Sequence, residues 1–330
     1  MKVTIAEFRN ALLQITATLQ IPQKEAHDYV EAVVAHYLED NFFKGFKGVH
    51  GVEDWIEKLE KSKAEETVVF TSDSLLHIDG AGKSPFNIII QRYDQICQAA
   101  SKAGAYTVTI HGQYMSALFY TVRKFANDGY MVILASNGGP QGTVPFGGKN
   151  DIFGTNPLAY GIPSSSDPIV FDGATSKRAW GLIEEAKKSN TKLPENTYFD
   201  TDGNYTTDPH KAVKIEAFGE YKGYAINLLL EVLTSALVGG VAGRKQSSED
   251  ELGVWLYVVD PAVFGSKQTF ISQVDRLKKE ITSTQPREGF KSVVYPGMRA
   301  FEHAQAMTDN SAIEIEDSVW KKLHATVLNK

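Results

Sequence analysis

The stretch Val144–Pro163, VPFGGKNDIFGTNPLAYGIP, decides how this chain is read. It lies in a longer segment, Gly138–Pro168, rich in Gly, Pro, Ser and Asn, with apolar runs at Leu158–Ile162 and, just beyond, at Ile169–Phe171. A linker has no use for recurring apolar residues, whereas a loop system mounted on buried strands carries function. Gly154-Thr155-Asn156-Pro157 follows Pro145-Phe146-Gly147-Gly148. Small residues and side-chain donors therefore stand where a polar ligand can approach the backbone.

On the N-terminal side the pattern predicts alternating helix and strand: helix Phe86–Ala103, strand Tyr106–Ile110, helix Ala117–Asp128 and buried strand Met131–Ala135. Before it, Thr4 caps a helix with Ile5, Phe8, Leu12, Ile15 and Leu19 on one stripe and Glu7 in capping-box position. A helix Gln23–Glu39 follows, then a loop, Asn41–Gly51, combining Gly45, Gly48 and Gly51 with Lys44, Lys47 and His50, then a helix Glu53–Lys63. On the C-terminal side Asp172-Gly173-Ala174-Thr175-Ser176 leaves a strand and precedes a helix expected near Lys177. Its hydroxyls suit either phosphate binding at a helix start or plain N-capping. A polar excursion Lys187–Lys211, a long apolar helix Tyr221–Val238, a strand Trp255–Val259 and helices Lys267–Thr282 and Ser318–Leu328 complete the α/β pattern.

The 330 residues suffice for two domains or one large α/β unit, and 42% apolar content supports a sizeable core. With 34 Lys plus Arg against 40 Asp plus Glu, the formal charge of −6 argues against nucleic acid as a partner. Cys97 is the single cysteine, expected as a buried thiol, so neither a disulfide framework nor a multi-thiol zinc site exists. The most apolar run, Ala225–Val241, is interrupted by Asn227, Glu231, Thr234 and Ser235, and Glu7, Arg9 and Asn10 spoil any leader-like N-terminus. No membrane role and a cytoplasmic location are expected. Gly82-Lys83-Ser84 has His77 where a P-loop needs its first glycine, and no G-x-G-x-x-G follows a strand. Gly239–Gly243 fits a helix C-cap, and Asp208-Pro209-His210 a solvated turn. No metal site is expected.

Several strings in order carry a resemblance. Val144–Pro163, FDGATSKRAWG (Phe171–Gly181), DTDGNYTTDP (Asp200–Pro209) and GEYKGYAINLLLEVL (Gly219–Leu233), with VHGV near residue 50 and YPGMR near residue 297, resemble the malate/L-lactate dehydrogenase family that lacks a Rossmann fold. The resemblance implies a non-Rossmann α/β fold with a helical N-terminal part (1–65) carrying an active-site loop. The α/β cofactor-binding body (66–330), with a mixed central sheet, would interweave with the N- and C-terminal helices. It further implies a homodimeric enzyme transferring hydride between NAD or NADP and a 2-hydroxy or 2-oxo acid, some relatives reducing cyclic imines instead. The cofactor-contacting positions it implies are Asn137, Asp172, Gly173, Ala174, Thr175, Ser176, Tyr221, Lys222, Gly297, Met298 and Arg299, with Thr155 and Asn156 adjoining.

The catalytic strings depart from the family. Its Ser-His-Gly reads Val49-His50-Gly51, and its second histidine aligns with Gln113, which hydrogen-bonds but shuttles no proton near neutrality. An arginine four residues after the first histidine pairs with substrate carboxylate in relatives, and here that position is Asp54, with only Lys44 and Lys47 as nearby charge. His50 is expected to carry the chemistry, Asp172 to orient or balance it, and Gln113 to occupy the second place. The readings that follow are an enzyme with an atypical substrate, a catalytically impaired cofactor- or ligand-binding protein, and a cyclic imine reductase.

Overall fold

A computed structural model describes residues 1–39, 49–115, 118–139, 142–248 and 251–328, with the side chains of residues 49, 50, 327 and 328 left aside. The chain opens with β1 (Lys2–Thr4), α1 (Ile5–Thr18), α2 (Gln23–Leu38) and α3 (Val49–Glu60). Next come β2 (Thr67–Thr71), β3 (Leu75–Asp79), α4 (Pro85–Gln91), α5 (Tyr93–Ala103), β4 (Ala105–His111), α6 (Leu118–Asn127) and β5 (Met131–Ser136). The middle holds β6 (Thr143–Val144), β7 (Leu158–Ile162), β8 (Ile169–Gly173), α7 (Gly181–Ser189), β9 (Tyr198–Phe199), β10 (Tyr205–Thr206) and β11 (Lys214–Glu216). Then follow α8 (Glu220–Thr234), β12 (Gly253–Val259), α9 (Lys267–Ser283), α10 (Met298–Ala306), β13 (Ala312–Glu314) and α11 (Asp317–Leu328).

The main sheet has strand order β2-β3-β4-β12-β5-β7-β8. Only its β3–β4 pair is parallel, which makes it the mixed sheet expected. β12, late in the chain, wedges between β4 and β5, with Val254 opposite both Ile110 and Ser136. Its alternate residues Val254, Leu256 and Val258 are fully buried, as a two-residue period on a packed sheet requires. This register fixes the functional edge. β4 and β5 both run antiparallel to β12, so their C-terminal ends lie together, beside the start of β7 and the end of β8. A second, four-stranded sheet, order β10-β9-β11-β6, carries the polar excursion.

The two chain ends meet. β1 pairs antiparallel with β13, Val3 opposite Ile313, and the terminal ammonium donates to Ile315 O at 2.7 Å. Thr4 and Glu7 form the expected capping box at the start of α1. One apolar core runs from Val3 to Leu323 and joins the N-terminal helices to the sheet.

Three local expectations change. The helix expected from Glu53 starts at Val49, so His50 and Gly51 belong to α3 and not to a loop. Buried Val52, Trp55, Ile56 and Leu59 continue its apolar stripe toward the N-terminus and outweigh the low helix propensity of Gly51. Gly45, Gly48, Lys44 and Lys47 lie outside the described residues. Phe86–Ala103 breaks at Arg92 into α4 and α5, a break hidden in sequence because Ile88, Ile89, Tyr93, Ile96 and Ala100 all face the core. No helix begins near Lys177: Ser176 bridges Ala217 and the Lys177 N–H donates to Glu216 O at 2.7 Å, so α7 starts only at Gly181. The unexpected pair β2 and β3 extends the sheet at its far edge.

Candidate active site

The strand ends meeting at the functional edge deliver Tyr114 and Met115 after β4, Asn137 and Gly138 after β5, Thr155 before β7 and Asp172 from β8. These residues line one cavity of about 380 Å³, closed on its other side by α2, α3, Phe86 and Leu118. Asp172 also lines an adjoining cavity of about 510 Å³ with Gly297, Arg299 and Arg123. Asp172 thus stands in the wall between two spaces, one rich in apolar side chains and one carrying guanidinium groups.

The floor of the first cavity is fixed by a buried polar network. Glu231 of α8, 2% exposed, accepts from Asn156 Nδ2 at 2.8 Å, Asn137 Nδ2 at 3.3 Å and the Gly243 N–H at 2.9 Å. Asn156 Oδ1 accepts the Gly138 N–H and Asn137 Oδ1 accepts the Gly139 N–H, each at 3.0 Å. The buried amides of Asn137 and Asn156 are therefore spent on shaping the loop, as buried polar groups must be. A Cβ on Gly138 would stand 2.4 Å from Asn156 N, so only glycine permits this approach. At Gly139, with φ +104°, the space is open.

The Asp172–Ser176 string has a role other than the one expected. Thr175 Oγ1 donates toward Asn156 O (2.9 Å) and accepts from Asn227 Nδ2 (2.9 Å), while Ser176 Oγ donates to Arg178 O at 2.7 Å. Both hydroxyls are buried and committed, so neither helix capping nor an open phosphate cradle describes them. Lys177 pairs with Glu216 at 3.1 Å. Gly173 and Ala174 continue from Asp172, half-buried. Tyr221 and Lys222 sit exposed in the first turn of α8 and line neither cavity. Met298 starts α10 beside Gly297, whose φ of +89° brings its backbone against Val170.

Asp172 Oδ2 accepts the Phe119 N–H at 2.9 Å, which favours the carboxylate, but burial outweighs it and pushes the group up to about 7. Gln113 is buried with Oε1 lacking a donor among the described residues, and it borders the cavity only through Tyr114 and Met115. His111 ends β4 with Nδ1 4.0 Å from Asp79 and does not line the cavity. Position 50 falls in the first turn of α3, one turn before Asp54.

Two lining residues escaped sequence reading. His36 on α2 packs edge-on against Phe119, ring centroids 4.8 Å apart, and desolvation, aided by Arg123, pushes it down to about 4. Lys58, 8% exposed, donates to Asp54 Oδ2 at 2.8 Å and Tyr114 OH at 3.2 Å, with its ammonium 4.3 Å from the Tyr114 ring centre. Burial pulls its pKa down, yet the Tyr114 oxygen and Asp54 together hold it above the ordinary lysine value. Asp54 is therefore neutralised by a partner one turn on, which corrects the expectation that its charge stands uncompensated. The signal was present as an i,i+4 acid–base spacing on a helix.

The remaining expectations are simply placed. Lys83 is consumed by an ion pair to Glu66 at 2.8 Å, and His210 lies exposed. Burial raises the half-buried Cys97 thiol to about 11. Among the described residues no cluster suits a metal ion, and no helix is long and apolar enough to cross a membrane.

Known proteins are similar to this chain in sequence and fold. The chain is 28% identical over 303 residues to a ureidoglycolate dehydrogenase (NAD(+)) of Escherichia coli O157:H7, covering 86% of this chain and 85% of that one. It is 35% identical over 170 residues to a delta(1)-pyrroline-2-carboxylate/delta(1)-piperideine-2-carboxylate reductase of Pseudomonas putida, half of each chain. The solved sulfolactate dehydrogenase of Methanocaldococcus jannaschii superposes with a TM-score of 0.86 at 25% identity, over 100% of this chain and 97% of that one. Relatives thus include NAD(+)- and NADP(+)-dependent dehydrogenases of hydroxy acids and reductases of cyclic imines. The profile of malate/L-lactate dehydrogenases matches residues 3–324, and the chain belongs to that family.

Proposed function

We propose that this protein is an NAD(P)-dependent oxidoreductase that interconverts a 2-hydroxy and a 2-oxo acid, or a related compound, with a substrate atypical of its relatives. The observation that carries the reading is Asp172, a carboxyl with a pKa near 7 on the wall shared by an apolar cavity and an arginine-bearing one. A group half-protonated near neutrality serves either direction of a proton transfer. Gly138 and Thr155 at one cavity, and Gly297 and Arg299 at the other, would hold a nicotinamide dinucleotide. The close backbone approach at Gly138, on the wall of the first cavity, agrees with that group. When bound, such a cofactor supplies or accepts the hydride.

The chain's own residues then manage the proton and the anion. Asp172 gives a proton to the substrate oxygen in reduction and takes it back in oxidation. His50, at the start of α3, is the second proton-handling group, and Gln113, which the resemblance aligns with the family's second histidine, contributes hydrogen bonding alone. The apolar wall excludes water. The absence of a proton-shuttling side chain at Gln113, which the resemblance aligns with the family's second histidine, favours a second reading, a catalytically impaired family member that binds cofactor or ligand. The Pseudomonas putida relative supports a third, a cyclic imine reductase.

A cytoplasmic homodimer is the assembly we assign. α8 supports it: its inward face is Asn227, Leu230, Glu231 and Thr234, while Leu228, Leu229 and Val232 face outward at 41%, 55% and 45% exposure. An apolar helix face of this kind is a surface for burial against another copy. The test is a fluorescence titration with NADH and NADPH, followed by a screen of 2-oxo acids, ureido acids and cyclic imines. Asp172→Asn and His50→Ala serve as controls. Turnover abolished by these substitutions supports the enzyme, cofactor binding without turnover supports the impaired member, and absence of both binding and turnover refutes the assignment.

A further inference from the structure

The cavity beside Asp172 has an uneven charge inventory. Among the described residues lining it, Lys58 is the only lysine or arginine, whereas Asp54 and Asp172 both carry carboxyl groups. Lys58 is buried by α3 packing, and Asp54, its side chain 46% exposed, is free to turn toward water. An ammonium has three N–H donors, and Asp54 and Tyr114 take two of Lys58's. A buried ammonium with one donor left and a removable counterion is a receptor for one carboxylate. Among the described lining residues a second anionic group would meet no further lysine or arginine, only the two acidic side chains. The α2 side of the wall is largely apolar, with Ala32 and Val33 beside the Tyr29 ring, Phe86 from α4, and Met115 and Leu118, while Asn137 and Thr155 line the opposite side.

Resting on the oxidoreductase reading above, we propose that Lys58 is the anion anchor of this site. The substrate class is then a 2-oxo monocarboxylate with an apolar body, or its 2-hydroxy counterpart, in preference to dianions. The substrate carboxylate takes the place of Asp54 on the Lys58 ammonium and stays hydrogen-bonded beside Tyr114. The apolar body lies against α2 and Phe86, and the oxo group is left toward Asp172.

Calorimetric titration of the full chain with phenylpyruvate and with oxaloacetate tests this, using saturating NAD+ or NADP+ so that no turnover follows, and again without cofactor. The wild type is expected to bind phenylpyruvate more tightly than oxaloacetate. Lys58→Met is expected to weaken phenylpyruvate about 10–100-fold, the effect of losing a charged hydrogen bond. Asp54→Asn is expected to tighten both acids, oxaloacetate the more, and it decides the matter if Lys58→Met fails to fold. Preference for oxaloacetate, affinity indifferent to both substitutions, or no binding of either acid under any condition overturns the proposal. Acid binding that depends on Lys58 without any cofactor binding would keep the anchor and sink the oxidoreductase; cofactor binding with Lys58-independent acid binding would do the reverse.

Discussion

The Phe119 N–H and Asp172 Oδ2, 53 residues apart in sequence, meet at 2.9 Å and tie the first turn of α6 to the end of β8. The contact fixes the carboxyl between the two cavities while its burial keeps the proton affinity high. Reduction needs the protonated acid, so its rate should fall above about pH 7, and oxidation should fall below it. Asp172→Asn retains an acceptor for Phe119 but exchanges no proton. It should lower kcat about 10²–10⁴-fold and erase the limb near pH 7 in a pH–rate profile.

The same carboxyl bears on stability. Its folded-state pKa is raised from 3.8 to about 7, so its contribution is fully present below 3.8 and is lost as pH rises through about 7. His36 works in the opposite sense. Lowered from 6.5 to about 4, it contributes above 6.5 and its contribution is lost as pH falls through about 4. In urea melts across pH 3–8, Asp172→Asn should remove the alkaline decline and His36→Gln part of the acid one. Identical pH dependence in wild type and both variants would contradict the assignments.

Glu231 gathers donors from three separate segments, through Asn137, Asn156 and Gly243. Truncation to Ala strands these donors in a buried space, each costing about 1–3 kcal/mol. Chemical denaturation of Glu231→Ala should show a loss of about 3 kcal/mol or more. NADH affinity should fall in parallel, because the Gly138–Gly139 backbone loses its support.

Gly138→Ala is a sharper probe of the cofactor wall. The added methyl would meet Asn156 N and Thr155 Oγ1, each at 2.4 Å, so the loop must shift. Cofactor binding, read by fluorescence quenching, should weaken strongly, while far-ultraviolet circular dichroism should be largely preserved.

Leu229, 55% exposed on α8, reports on assembly. Leu229→Glu places a charge in the face assigned to the second copy. Sedimentation velocity should show a shift from dimer to monomer; a dimer of unchanged strength would move the interface elsewhere.

Local rules exposed much of this fold. The capping box at Thr4 and Glu7 and the alternating run that became β12 are legible because their causes lie within a few residues. Asp172 and Thr155 are picked out by strings rather than geometry, and the structure puts both on the wall of one cavity. The commitment of the Thr175 hydroxyl is not legible, because its partner, Asn227, is 52 residues away, and no local pattern shows that a hydroxyl is already spent. His36 and Lys58 hid in otherwise ordinary helices, where a polar residue on an apolar stripe looks like a surface position. Only packing α2 and α3 around Phe86 and Tyr114 reveals that they face an interior space.

α3 carries His50, Asp54 and Lys58 at successive four-residue steps, a single stripe along one helix. The opposite side of the cavity, built from β5, β7 and β8, comes from another region of the chain and is braced by α8. On the roles proposed above, recognition of the acid and handling of the dinucleotide fall to different parts of the sequence. With Lys58 as the anchor, a change of charge at either of two positions one helical turn apart would redirect what the site accepts and leave the β5, β7 and β8 side untouched.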